Sequence, residues 1–183
     1  MKTEALERYL NSFGKYVVQQ SRTNLTKGKK NVSKDLYNSI SFKVTNNAEG
    51  FAVQFFMTDY GTFVDKGVSG TNKRRSFKDY EGKVISSPYK FGTGSSRVGK
   101  AKGGMSGIMA KWVKKKGFQW RDKKGRFMSH KSMGYIIARS IYSKGIQGIS
   151  FFQKPLMLGL KQFGKEMLGA VKDDIINGLT TVK

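Results

Sequence analysis

Apolar residues recur along the chain with two periods, and each period names an element. Between residues 4 and 20, Leu6, Leu10, Phe13 and Val17 stand at i, i+4, i+7 and i+11, with Tyr9 and Tyr16 beside them. That spacing lays them on one face of an α-helix whose first turn holds Glu4 and Glu7 and can be capped by Thr3. The polar, basic stretch SRTNLTKGKKNVSKD then reads as a linker. Beyond it the period shortens to two. Ile40, Phe42 and Val44 share a face, TNNAEG turns, and Phe51, Val53, Phe55 and Met57 alternate with Ala52, Gln54 and Phe56. An antiparallel hairpin is predicted there.

From Gly70 to Gly104 the Gly, Ser and Lys content rises and periodicity is lost, apart from KVIS at Lys83 to Ser86. The segment reads as a long, mobile loop holding one short strand. Helical spacing returns at Met105, Ile108, Met109, Trp112 and Val113 up to Gly117, and again at Met133, Ile136, Ile137 and Ile141 up to Gly145. Pro155 opens a terminal helix of about five turns, with Leu156, Leu160, Phe163, Met167, Val171 and Ile175 down one side. The elements expected are thus an N-terminal helix, a small antiparallel hairpin, two inner helices and a C-terminal helix. A single domain over residues 1–183 is expected, with its core in 1–68 and 150–183 and a basic, Gly-rich and helical insertion at 69–149. The 38% hydrophobic and 13% aromatic content suffices for such a core.

Charge changes the picture. The formal net charge is +23, and residues 69–149 carry twenty bases against three acids. Within them KWVKKKGFQWRDKKGRF, Lys111 to Phe127, holds eight Lys or Arg and four aromatics against the single acid Asp122. A field of that strength attracts polyanions or acidic protein surfaces and opposes self-association until something neutralises it. Cations interleaved with aromatics can grip phosphates and stack on bases, and they can equally build a protein interface rich in Arg and Trp. Composition leaves both open. The candidate contact residues are Lys114, Lys115, Lys116, Trp120, Arg121, Lys123, Lys124, Arg126 and Phe127, with Lys73, Arg74 and Arg75.

Other chemistries find no constellation. With no Cys and one His, disulfides and soft-metal sites drop out. His130 has no second His or nearby carboxylate to orient it, so a surface or capping role is expected. Asp173 and Asp174 lie about 100° apart on a helix and are expected to face solvent rather than converge. GSSRVGKA, Gly94 to Ala101, matches a phosphate-binding loop except at Ala101, where the magnesium-binding hydroxyl is missing, and no buried strand precedes it. No catalytic, cofactor-binding or metal-binding residues are expected. No run approaches the roughly eighteen apolar residues of a membrane span, and Glu4 and Glu7 stand where a signal peptide needs an apolar core. Neither membrane insertion nor export is expected.

Three segments resemble the small neck and tail-completion proteins of tailed bacteriophages, the family of head-to-tail joining and minor tail components. NVSKDLYNSISFKV is similar to that family's Thr-Gly-x-Leu-x-x-Ser-Ile lead into its first strand, with Ser33, Leu36, Ser39 and Ile40 matching and Lys34 in place of Gly. DYGTFVDKG resembles its Tyr followed by Val-Glu-Phe-Gly, with Tyr60, Val64, Asp65 and Gly67 in corresponding places and Lys66 departing. ISFFQKPLMLGL resembles its closing Pro-Phe-Leu-x-Pro-Ala-Leu through Phe151, Phe152, Pro155, Leu156 and Leu160. WVKKKGFQWRDKKGRF followed by IIARSIYSKGI is similar to an insertion in many members.

The resemblance implies an α+β fold and a non-enzymatic ring, hexameric or dodecameric, in the virion neck or the top of the tail. Such a ring assembles in the host bacterial cytoplasm against portal, connector or tail proteins with acidic surfaces, and can meet packaged DNA without sequence preference. The alternative implied by charge alone is an autonomous RNA- or DNA-binding protein of ribosomal or nucleoid type. Because the phosphate-loop match lacks its hydroxyl, the purified chain should neither hydrolyse nucleotides nor bind ATP with magnesium. A nucleotide-turnover assay showing activity that Lys100→Ala abolishes would contradict this.

Overall fold

The first helix, α1, runs from Glu4 to Lys27, seven residues past its predicted end. Val18, Ser21 and Leu25 continue the buried stripe through what reads as a polar linker, and full burial of Leu25 compensates for the weak propensities around it. The computed structural model describes residues 4–30, 33–47, 50–91 and 104–180, so the Thr3 cap and the GSSRVGKA loop lie outside the described residues. The start of α1 is capped from elsewhere in the chain. Ala5 and Leu6 donate their backbone N–H groups to the Asp174 carboxylate at 3.2 and 2.9 Å. Asp174, expected in solvent, is therefore buried where unpaired N–H groups and the helix dipole favour an anion, while Asp173 is exposed.

The fold is α+β, in two compact units. Residues 1–66, 77–85 and 149–183 make the first and residues 67–76 and 86–148 the second. Segment 77–85, read from sequence as part of the insertion, belongs to the first.

In the first unit a short helix, α2 (Asp35–Ser39), leads into the hairpin β1 (Ser41–Asn47) and β2 (Gly50–Phe56). The strands pair antiparallel with Phe42 opposite Phe55 and Val44 opposite Val53, as the alternation allows, and the ladder runs on to Asn47 opposite Gly50, so Thr45, Asn46 and Asn47 of the stretch read as a turn belong to the strand. Helix α3 (Tyr60–Lys66) follows, unmarked by any period in so short a run. A second, smaller sheet joins β3 (Ser76–Lys78) to β4 (Val84–Ser86), the predicted KVIS strand; Asp79 closes its turn by accepting the N–H groups of Glu81 and Lys83. Val18, Leu25, Leu36, Ile40 and Phe151 form the buried core, with Phe42, Phe55, Met57, Val64, Ile149 and Phe152 against it.

The last helix, α6 (Gln153–Thr180), is 28 residues long, about eight turns against the five predicted. Its contact face is also rotated. Among its described side chains the buried positions are Pro155, Gly159 and Asp174; of the predicted stripe Leu156, Phe163 and Val171 are half-buried, whereas Leu160 is 49% and Met167 40% exposed. Helix α6 runs antiparallel to α1, and a Cβ at Gly159 would sit 2.8 Å from the Phe13 ring. A missing side chain lets Phe13 approach, which an apolar stripe cannot announce. Phe163 completes the contact, with the rings of Tyr9, Phe13 and Tyr16 at 5.6, 5.8 and 5.5 Å and its carbonyl accepting the Tyr9 hydroxyl.

Asp65 ties α3 to the start of α6. Its Oδ1 accepts the Phe152 N–H at 2.8 Å, and its carbonyl accepts the N–H of Ser150 at 3.0 Å. Burial pushes this carboxyl above the usual carboxylate range, against the pull of the Phe152 and Gln153 N–H groups.

In the second unit, α4 (Met105–Lys116) and α5 (His130–Lys144) pack together as the stripes predict, with Val113, Met133, Gly134 and Ala138 buried. Ile108 and Ile136 depart from their stripes and are exposed. The Gly-rich start of this unit is paired rather than loose. Val68 and Ile146 exchange both backbone hydrogen bonds, at 2.9 and 2.8 Å, and Ser69 bridges to Lys90. A Cβ at Gly70 would lie 2.1 Å from the Ser143 carbonyl, so glycine there permits close backbone approach. Among the described residues no helix is long and apolar enough to cross a membrane.

Phe13→Ala should lower unfolding free energy by about 3–5 kcal/mol by leaving a cavity between α1, β2 and α6. Leu160→Ala, costly if the sequence stripe were the contact face, should stay within about 0.5 kcal/mol of the parent. Urea denaturation of both variants checks the rotated face.

Candidate functional site

The stretch KWVKKKGFQWRDKKGRF becomes the end of α4 and a hairpin turn. Lys114, Lys115 and Lys116 occupy the last turn of α4, where cations complement the helix dipole. The helix stops in a Schellman arrangement: the Gly117 N–H donates to the Lys114 carbonyl at 3.1 Å and the Phe118 N–H to the Val113 carbonyl at 3.2 Å. Phe118 then folds back on Trp112, edge to face at 5.2 Å. The aromatic half of the motif is thus partly spent on ending the helix.

Beyond Phe118 the chain reverses. The Met128 N–H donates to the Trp120 carbonyl, Arg121 pairs with Phe127, and the Asp122 N–H donates to the Arg126 carbonyl at 2.8 Å. Gly125, at φ 77°, takes the left-handed position this tight turn requires. Asp122 organises the turn: its Oδ1 accepts the N–H groups of Lys124 and Arg126 at 2.8 and 2.9 Å, and its Oδ2 accepts the Arg126 Nε at 3.1 Å. The Arg126 N–H foremost, with the Lys124 N–H and the Arg126 side chain, holds the Asp122 carboxyl below its ordinary range against a weaker desolvation effect. The acid faces inward while Lys123 and Lys124 face solvent. Arg121 stands over the Phe127 ring at 4.2 Å and donates to the Gly125 carbonyl at 3.1 Å. Trp120 remains 40% and Phe127 62% exposed.

The predicted contact residues divide into two groups. Lys114 to Lys116 and Trp120 to Phe127 lie along one connected segment before the start of α5, where Ser129 caps the helix by accepting the Ser132 N–H. His130 is exposed in its first turn. Lys73, Arg74 and Arg75 belong to the other end of α5, roughly 22 Å away for a helix of 15 residues. Lys73 and Arg74 are exposed. Arg75 is a structural tie rather than a free contact: its guanidinium donates to the Lys144 carbonyl at 2.7 Å and to Gln147 Oε1 at 3.2 Å. Between the two ends, Lys131, Tyr135 and Arg139 form an exposed row on α5. Their i, i+4, i+8 spacing is readable in the sequence, but the apolar stripe of the same helix overshadows it.

The first unit offers a different concavity, of about 590 Å³, lined by Lys15, Gln19, Arg22, Tyr37 and Phe42 among others. Its half-buried cation is already engaged. Arg22 donates to the carbonyls of Tyr37 and Ile40 at 3.0 and 2.9 Å and stands 5.2 Å from the centre of the Tyr37 ring. Among the described residues, no group of three or more His, Cys, Asp or Glu could hold a metal ion.

No protein-family model matches the chain, and no curated protein or solved structure is significantly similar to it.

A depressed carboxylate pKa means that the Asp122 turn is stabilised above the unfolded value and loses that support as pH falls through the folded one. The backbone amide shifts of Lys124 and Arg126, followed by NMR against pH, should therefore titrate with a midpoint below the ordinary aspartate value of about 3.9. A midpoint at or above that value would show that Asp122 does not close the turn.

Proposed function

We propose that this protein is a structural, non-enzymatic virion component of a tailed bacteriophage, forming a homo-oligomeric ring at the neck or the top of the tail. One observation carries the reading. The three segments that resemble the neck and tail-completion family meet around one core: Leu36 and Ile40 from the first, Val64 from the second, and Phe151 and Phe152 from the third. The hydrogen bond from the Phe152 N–H to Asp65 joins the second segment to the third across 87 residues. Lys34, which stands where the family pattern has Gly, holds φ at 63°, the left-handed region that Gly favours. Gly67 of the second segment holds φ at 75°.

In a ring, each copy repeats the +23 charge, and copies closer than the Debye length of about 8 Å repel. Acidic portal, connector or tail proteins, or packaged DNA, supply the countercharge at the second unit. The charge of that unit also favours the alternative reading, an autonomous RNA- or DNA-binding protein of ribosomal or nucleoid type.

Gold-labelled antibody on particles of the phage encoding this chain should mark the junction of head and tail. Lys114→Gln, Lys115→Gln and Lys116→Gln together should leave the protein folded and yield filled heads without joined tails, since they remove exposed charge from the second unit while keeping helix propensity. Label in ribosomal or nucleoid fractions and none on particles would select the alternative.

A further inference from the structure

We infer that the second unit is a sequence-independent grip for the phosphate backbone of duplex DNA, with the Trp120–Phe127 turn as its shaped contact, rather than a dock for an acidic protein. This names the partner of the site within the assembly reading, on which it rests only for where binding occurs.

The first reason is the balance of charges. Among its described residues this unit carries fifteen Lys or Arg, all exposed except Arg75, against the single acid Asp122. Both oxygens of that acid are turned onto the Lys124 and Arg126 groups of its own turn. No other carboxylate in the described part of the unit offsets the field.

The second reason is which cations they are. Ten of the fifteen are Lys. Ammonium groups are strongly hydrated and depleted at the desolvated centres of protein interfaces, whereas phosphate contacts leave them half-solvated and gain by releasing counterions. A protein dock built around Trp120 would instead need an apolar, water-excluding surround, and its neighbours Arg121, Lys123 and Lys124 are exposed cations.

The third reason is extent. Cations stand at both ends of α5 and along it at Lys131 and Arg139, a span of roughly 22 Å. Cations spread over that length suit a polymer of continuous charge, about two-thirds of a duplex turn of roughly 34 Å.

Duplex is favoured over single strands because, with Trp120 half-exposed, the segment offers few open rings for successive bases to stack on. Arg121 covers a face of Phe127, and Phe118 packs on Trp112. Asp122 adds direction. It removes one unit of favourable charge from the most basic part of the chain, yet it fixes the turn that projects Lys123 and Lys124.

The test uses the full-length purified chain and a labelled mixed-sequence 30-base-pair duplex, followed by anisotropy over a salt series. Lys123→Gln, Lys124→Gln and Arg126→Gln together should weaken binding roughly tenfold or more at low salt and reduce the log–log salt slope by about 2–3. A charge-matched control in the first unit, Lys27→Gln, Lys29→Gln and Lys30→Gln, should change affinity less than about threefold if contacts are local. Asp122→Ala, although it raises net charge by one, should weaken binding, with melting temperature and circular dichroism confirming that each variant is folded.

Equal loss in the two triple variants, or tighter binding by Asp122→Ala, would show diffuse attraction and overturn the shaped contact. Poly-glutamate competing as well as duplex would make the site a protein dock, and single strands binding more tightly than duplex would overturn the duplex mode. These outcomes are read on isolated protein, so they are separable from absence of the protein at the head–tail junction, which would instead overturn the assembly reading.

Discussion

The first unit depends on how closely α6 can approach α1. Gly159 faces the Phe13 ring so closely that an added Cβ would sit 2.8 Å from it and force a shift, and Phe163 lies against Tyr9, Phe13 and Tyr16 in the same contact. With the helices so close and antiparallel, Asp174 reaches the unpaired N–H groups at the start of α1. Phe13 also meets Phe55 of the hairpin at 6.2 Å, so the same aromatic joins helix and sheet. A bulkier residue at Gly159 would displace all three contacts together, because packed interiors cannot absorb a methyl group without moving their neighbours.

Charge is distributed by a different rule from packing. The first unit mixes acids with bases and uses several acids structurally: Asp65 at the start of α6, Asp79 in the β3–β4 turn and Asp174 on α1. In the described part of the second unit the single acid is consumed by its own turn, while the bases stand on helix ends and outer faces. A unit so composed remains folded because its cations are solvated and its apolar side chains, Val113, Met133 and Ala138, are buried between α4 and α5. Its outward surface is left strongly positive.

Elements with a strong period were legible in the chain. The alternation of Phe42 and Val44 with Phe51, Val53 and Phe55 specifies the hairpin and which side chains share its face, and Trp112 and Val113 before Gly117 mark where α4 ends. Less legible were α3, too short for a period, and the ordered backbone around Gly70, where glycines that read as mobility permit strands to meet. Arg75 read as a contact because sequence cannot show that the carbonyl of Lys144 and the side chain of Gln147 hold its guanidinium.

The sequence by itself determined the hairpin, the main helices and the concentration of positive charge in one segment, because those follow from local periodicity and from counting. Only the tertiary structure decided which residues of α6 are buried and that Asp174 meets the first N–H groups of α1. Each of these rests on groups far apart in the chain or on the absence of a side chain. Periodicity reports where apolar atoms lie along one element, while close approach and long-range capping are set by what the partner element brings to meet it.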